Sequence, residues 1–91
     1  MKDVVSISKS GKTFGFTINP GILGELKLKI GDMVEVELFI EYKSNPSVII
    51  TRRLRKIGGS VGISIRRNLV DDLKLTKGDS IQVDIRKPEI V

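Results

Sequence analysis

The side chains in this sequence that could do chemistry are mainly cations, and they gather in its second half. The candidate contact residues are Arg52, Arg53, Arg55, Lys56, Arg66 and Arg67, with Ser60 in the glycine-rich turn between them and Lys9 and Lys12 as weaker counterparts earlier in the chain. Guanidinium groups present a rigid fork of N–H donors that matches phosphate oxygens and guanine edges. A local excess of positive charge also attracts polyanions. The pattern therefore predicts a surface that binds a polyanion.

The distribution of charge supports this prediction. The 91 residues carry a net charge of +5, which on its own could serve solubility. Residues 1–47 hold six lysines against six acids, whereas residues 48–91 hold all six arginines and four lysines against five acids. The whole net charge thus belongs to the second half. The alternative interpretation is a solvated strand face whose charges only block aggregation at a sheet edge.

The cations lie on an internal repeat. Residues 4–38 align with residues 51–85 without a gap, at a spacing of 47 residues. The alignment matches Gly15 with Gly62, and it places Ile30-Gly31-Asp32 on Lys77-Gly78-Asp79. We therefore expect residues 1–91 to form a single domain built of two repeats, the first at 4–43 and the second at 48–91.

Each repeat predicts the same order of elements. Alternating apolar and polar residues indicate a strand, a glycine turn and a second strand. A short helix follows, for which Asn19 is a suitable N-cap and Pro20 a suitable first residue in the first repeat. A third strand completes the unit, and residues 44–47 (Ser-Asn-Pro-Ser) predict a turn that joins the repeats as a hairpin. The expected fold is mainly β, with two ββαβ units, two short helices and seven or eight strands that close into a small barrel.

The composition points away from enzymes and metalloproteins. The chain has no cysteine and no histidine, the commonest sources of nucleophiles, general bases and metal ligands. No apolar run is long enough for a membrane helix, and the N-terminus shows no secretory signal. We expect a cytoplasmic, non-enzymatic domain that needs no cofactor or metal and does not associate with a membrane.

Three short motifs have weaker chemical interpretations. Residues 10–13 (Ser-Gly-Lys-Thr) resemble the end of a P-loop, but Ser6 stands where that motif requires glycine. Residues 58–62 could cradle phosphate through backbone N–H groups, although a tight turn explains their glycines more simply. Asp32 and Asp79 follow glycines, which is typical of turn chemistry and not of a catalytic pair.

One stretch resembles a known family. Residues 56–65 (Lys-Ile-Gly-Gly-Ser-Val-Gly-Ile-Ser-Ile), followed by residues 73–79 and 81–83, resemble the AbrB/MazE/SpoVT family of swapped-hairpin DNA-binding domains. The first repeat resembles it more loosely. The resemblance implies a swapped-hairpin barrel, usually formed by two chains and here similar to a dimer fused into one. Two departures stand out: the second repeat has Arg66-Arg67 at the helix start where the family usually has proline, and we expect no long C-terminal tail of the kind that wraps a toxin, because the chain ends at Pro88-Glu89-Ile90-Val91.

Together, the cations and the resemblance predict a transcriptional regulator or architectural protein that binds duplex DNA through the basic face of the second repeat. Few aromatic residues are present to stack on the bases of single strands. A homodimer of chains could present a symmetric surface. The rival prediction is a protein-interaction module with a double-psi β-barrel or related fold that binds an acidic partner; a toxin partner is possible but less favoured.

Overall fold

The computed structural model describes residues 1–39 and 47–88, in which eight strands and two helices follow one another. The elements are β1 (Lys2–Ser6), β2 (Ser8–Ser10), β3 (Thr13–Thr17), α1 (Pro20–Leu26), β4 (Met33–Phe39), β5 (Ser47–Arg53), β6 (Arg55–Ile57), β7 (Ser60–Ile65), α2 (Arg67–Leu73) and β8 (Ser80–Arg86). The prediction of a mainly β fold with two short helices is confirmed. Most of the predicted turn at 44–47, and the last three residues, lie outside the described residues.

The strands form two antiparallel four-stranded sheets. Sheet I has the order β1-β8-β4-β5 and sheet II has the order β2-β3-β7-β6. Neither sheet closes on itself among the described residues, so the closed barrel expected from the sequence is not seen there. The first predicted strand of each repeat is instead two strands, because the chain leaves one sheet and enters the other at a single residue.

That residue is Ile7 in the first repeat and Leu54 in the second, and each corner is fixed by the other repeat. The Ile7 N–H donates to the Asp79 carbonyl oxygen at 2.8 Å, and the Gly78 N–H donates to the Ile7 carbonyl oxygen at 2.8 Å. Leu54 makes the equivalent pair of bonds, with Asp32 at 2.8 Å and Gly31 at 2.9 Å. Both corner side chains are buried, so the corners also anchor the core.

The two repeats are interleaved with a pseudo-two-fold relation. In sheet II, β3 pairs with β7 so that Phe16 faces Ile63, its equivalent in the other repeat. In sheet I, β4 pairs with β8 so that Glu37 faces its equivalent, Asp84. The edge strands β1 and β5 also pair with a strand of the other repeat. Of the strand pairs in the described residues, the hairpins β2-β3 and β6-β7 alone are made within one repeat.

The core lies between the sheets and takes residues from both repeats. Its fully buried members include Phe16 and Ile63 from sheet II and Val36, Leu38, Val83 and Ile85 from sheet I. The same positions are filled in both copies because period-two alternation directs equivalent residues to the same side. The central strand pairs of both sheets, β3-β7 and β4-β8, join the two repeats, so the apolar faces of the two repeats are buried together. The division into two repeats is therefore one of sequence, within a shared core.

The helices start differently and end alike. The side chain of Asn19 accepts a hydrogen bond from the Gly21 N–H at 2.8 Å, and Pro20 is the first residue of α1, as predicted. Arg66 occupies the N-cap position of α2 and makes no capping bond. Both helices end in a lysine with left-handed backbone, Lys27 at φ 55° and Lys74 at φ 54°. Neither helix is long and apolar enough to span a membrane.

Candidate polyanion-binding surface

The outward side of sheet II is covered by small and polar residues. Paired residues of an antiparallel sheet share a face, so the pairing of Ser8 with Gly15 and of Gly15 with Ser64 places these three residues in one row. Arg55 and Thr17 both pair with Gly62 and form a second row on the same side. The opposite side carries Phe16 and Ile63 into the core. We call this outward side the polar face.

Glycine is required at the centre of the polar face because β3 and β7 run unusually close together. A Cβ atom on Gly62 would overlap the Phe16 carbonyl oxygen and lie 2.8 Å from the Cα of Thr17. A Cβ atom on Gly15 would overlap the Ile63 carbonyl oxygen and lie 3.2 Å from the Cα of Ser64. The two glycines are equivalent in the repeat. They serve the close packing of the two strands, and both glycines are buried.

A groove of about 180 Å³ lies on this face and takes its walls from both repeats. Ser8, Ser10 and Thr13 contribute from the first repeat, and Arg55, Lys56 and Ser64 contribute from the second. No acidic residue is among the described residues that line it. We call it the hydroxyl groove. Its side chains are hydrogen-bond donors and cations, which is the composition expected of an anion site.

The cations of the groove are not engaged by the protein. Neither Arg55 nor Lys56 makes an ion pair or side-chain hydrogen bond with any residue in the described ranges, and both are exposed. Other candidate residues are engaged. Arg67 lies 3.6 Å from Asp71, and the ammonium group of Lys9 lies 5.3 Å from the centre of the Phe14 ring. Arg55 and Lys56 are therefore free to bind a ligand, whereas Arg67 and Lys9 already have partners within the protein. The sequence alone does not reveal this difference.

Two more available cations flank the polar face. Phe14 pairs with Ile65, so the tip of the β2-β3 hairpin, which carries Lys12, lies beside the start of α2, where Arg66 stands. Both side chains are exposed and make no ion pair within the described part of the chain. Arg66 makes no capping bond to α2, and in the first turn of that helix the Leu69 N–H donates to the Asn68 side chain at 2.9 Å.

Arg52 and Arg53 lie on the other sheet. Arg52 is half-buried and stands opposite Val34 in β4, and its guanidinium donates to the Thr51 carbonyl oxygen at 2.9 Å. Arg53 stands opposite Met33 and donates to the Gly31 carbonyl oxygen at 2.8 Å, so it also ties the two repeats together. The structure therefore divides the predicted arginines: Arg55 belongs to the polar face, whereas Arg52 and Arg53 belong to sheet I.

Ser60 and the glycines before it form the turn of the β6-β7 hairpin. Ser60 is exposed and pairs with Ile57, and Gly58 has φ +61°, a conformation that favours glycine. The equivalent residue of the β2-β3 turn, Gly11, also has φ +61°. The turn interpretation of these glycines accounts for the geometry in both repeats.

A charged cluster on sheet I was not predicted from the sequence. The Arg86 guanidinium bonds to the Glu35 carboxylate and lies 3.3 Å from Glu37 and 3.4 Å from Asp84. Bonding to Glu35 raises the pKa of Arg86, while the N-terminal amine, which donates to Asp84 at 2.9 Å, lowers the pKa of Asp84. The signal that could have revealed the cluster is the equivalence of Glu37 and Asp84 at the 47-residue spacing.

The remaining carboxylates considered from the sequence belong to turns. Asp32 accepts from the Lys29 N–H at 3.0 Å, and Asp79 accepts from the Thr76 N–H at 2.9 Å, so both hold the loop before a strand. Within residues 1–39 and 47–88, no group of three or more histidine, cysteine, aspartate or glutamate residues is arranged to hold a metal ion.

Comparisons of this chain with protein-family models, with curated proteins and with solved structures find no match.

Proposed function

We propose that this protein binds duplex DNA as a transcriptional regulator or architectural protein, through the polar face and the cations beside it. The observation that carries the proposal is the pair of exposed, unengaged cations Arg55 and Lys56 on a groove that no described acidic residue lines. Arg66 and Lys12 extend this positive surface. Phosphate contacts supply most of the affinity of such proteins for nucleic acid.

Duplex DNA fits this surface better than single strands. Proteins that bind single strands use exposed aromatic rings on which successive bases stack. Here Phe16 is fully buried and Phe14 is half-buried beneath the ammonium group of Lys9. A face of hydroxyls and guanidinium groups suits the sugar-phosphate backbone and the edges of bases in a groove.

We also propose that the fold is a swapped-hairpin arrangement of the AbrB type. Two features support it: the edge strands β1 and β5 pair with strands of the opposite repeat, and every strand pair within residues 1–39 and 47–88 is antiparallel. The strands of each repeat therefore pair with strands of the other repeat in both sheets. Such exchange is expected of a swapped-hairpin dimer fused into one chain. This arrangement favours the DNA-binding proposal over a double-psi adaptor.

The proposal is tested by measuring duplex binding as a function of salt. We expect log K to fall linearly with log[salt], by about 0.9 for each phosphate contacted. The double variant Arg55→Glu/Lys56→Glu should abolish most of this binding. The matched control Lys29→Glu/Lys77→Glu produces the same change in net charge on exposed loop residues outside the hydroxyl groove, and it should keep most of the affinity.

Three outcomes would contradict the proposal. They are the absence of a salt slope, equal loss of binding in both double variants, and tighter binding to single-stranded than to duplex DNA. If the chain binds an acidic protein through Arg55 and Lys56 but does not bind duplex, the adaptor or antitoxin alternative replaces it. The mass of the complex will show whether one chain or a homodimer binds.

A further inference from the structure

The hydroxyl groove has two chemically different sides. Arg55 of β6 forms one side, with Lys56 next to it at the sheet edge. Ser10 and Thr13 form the other side in the β2-β3 hairpin, and Ser64 of β7 lies between the two sides. One side supplies charge, and the other supplies neutral donors. Residues separated by more than 40 positions in the chain meet here because the order β2-β3-β7-β6 joins the two hairpins in one sheet.

Most of the hydroxyl groups in the groove are available to a ligand. Ser10, Thr13 and Ser64 make no side-chain hydrogen bond to any residue that the structure describes. Ser8 is different, because its hydroxyl donates to the Gly15 carbonyl oxygen at 3.1 Å. Three neutral donors and the cation Arg55 therefore face one groove without a protein acceptor, and Lys56 stands at its edge. Such donors favour an acceptor-rich anion, because charge-assisted hydrogen bonds are stronger than neutral ones.

The size of the groove limits the ligand. Its volume of about 180 Å³ is about six times the ~30 Å³ that one molecule occupies in liquid water. This space holds a phosphate group with part of an attached sugar.

We propose that the hydroxyl groove is a phosphate subsite shared by both repeats, and that it takes one phosphodiester group of the bound duplex. This inference rests on the DNA-binding proposal for the source of the phosphate. Arg55 neutralises the phosphate charge, Lys56 adds positive charge at the edge of the groove, and Ser10, Thr13 and Ser64 donate to the phosphate oxygens. The first repeat, which carries no net charge, thus contributes the neutral part of the site.

The two classes of contact differ in their dependence on salt, which makes the proposal testable. Losing a cation reduces the number of counterions released, so Arg55→Ser should lower the salt slope by about 0.9. Losing neutral donors should weaken binding at every salt concentration without changing the slope. For Ser10→Ala/Ser64→Ala we expect an increase in Kd of about tenfold, on the order of two ordinary hydrogen bonds.

The matched control is Ser6→Ala/Ser80→Ala. Ser6 and Ser80 are exposed, pair with each other on sheet I, and lie outside the groove. This control should bind duplex as the unaltered protein does. Thermal unfolding of both double variants checks that the serine changes leave the fold intact. If folding is impaired in Ser10→Ala/Ser64→Ala, the single variant Thr13→Val takes its place, with an expected increase in Kd of about threefold or more.

Titration with pyrophosphate, followed through backbone amide resonances, separates the source of the phosphate from the site itself. Shifts confined to the groove and lost in Ser10→Ala/Ser64→Ala support the subsite. If these shifts occur but duplex does not bind, the groove is a binding site for free phosphates and the DNA-binding proposal is wrong. If duplex binds with equal affinity to the groove variant and the Ser6→Ala/Ser80→Ala control, the subsite is wrong and the DNA-binding proposal stands. If neither ligand binds, both are wrong.

Discussion

The two repeats share a backbone frame but differ in the residues that they present to solvent. Ile7 and Leu54 are equivalent corner residues, and both are buried. One residue further along, Ser8 of the first repeat is equivalent to Arg55 of the second, and both line the hydroxyl groove. The two repeats are thus alike at positions whose side chains are buried in the core, and they differ in side-chain type at positions that face solvent.

The repeats also differ at the start of the helix. Asn19 caps α1 through its side chain, whereas its equivalent, Arg66, leaves α2 without a side-chain cap. The second repeat therefore has a cation in place of a stabilising residue. The comparison suggests that the first repeat retains residues that favour stability and the second retains residues that favour binding. Each prediction below tests one part of this division.

The largest effect is expected where the two repeats are alike. Gly15→Ala and Gly62→Ala each place a Cβ atom against the backbone of the neighbouring strand, so each should lower the free energy of unfolding by several kcal/mol, about 4 or more. Gly59→Ala is the matched control, because nothing lies within 4 Å of its added Cβ. Urea unfolding measures all three. A difference of more than about 2 kcal/mol between Gly15→Ala and Gly62→Ala would show that the frame is not shared.

The second prediction moves the charge from one repeat to the other. Arg55→Ser should lower the salt slope of duplex binding by about 0.9, and adding Ser8→Arg should restore it, because Ser8 and Arg55 are equivalent residues on the same groove. Ser8→Arg also removes the hydroxyl that donates to the Gly15 carbonyl oxygen, so unfolding must be measured in parallel. If the double variant does not recover the salt slope, a cation contacts DNA phosphate only from the second repeat, and the equivalent position of the first repeat cannot replace it.

The third prediction separates stability from binding at a single residue. Arg66→Asn gives the second helix the cap of the first and should raise the free energy of unfolding by about 1 kcal/mol. It should also weaken duplex binding at low salt, because a cation beside the polar face is lost. Arg66→Ala is the control that loses the same charge without gaining a cap. If both variants unfold at the same urea concentration, the missing cap does not limit the stability of α2.

The elements of this fold could be predicted from the sequence because they depend on local patterns. Alternation at period two identified the strands, and Asn19-Pro20 marked the start of α1. The division of the strands between two sheets was not predicted, because the change of sheet at Ile7 and Leu54 depends on hydrogen bonds to the distant loops before β8 and β4. A continuous alternating pattern gives no sign of such a corner.

The candidate site could be predicted only in part, for the same reason. The sequence indicated which residues are cations, but it could not show which of them the fold engages. Arg53 bonds to the Gly31 carbonyl oxygen, 22 positions away, and Arg86 reaches two acids of the first repeat. Ser10 and Ser64 were not among the residues predicted to bind. Their place on the same groove follows from the pairing of β3 with β7.

The smallest effect is expected from Asp84, the equivalent of Glu37 on sheet I. The N-terminal amine donates to Asp84, and this bond lowers the pKa of that carboxyl. A carboxyl with a lowered pKa in the folded state contributes stability above its unfolded pKa of about 3.9, and loses this contribution as the pH falls through the folded value. Asp84→Asn should therefore lower the free energy of unfolding slightly at pH 7 and should match the unaltered protein near pH 2. Glu25→Gln, on the exposed side of α1, serves as the control. A difference between Asp84→Asn and the unaltered protein that persists unchanged at pH 2 would assign the role of Asp84 to packing and not to its charge.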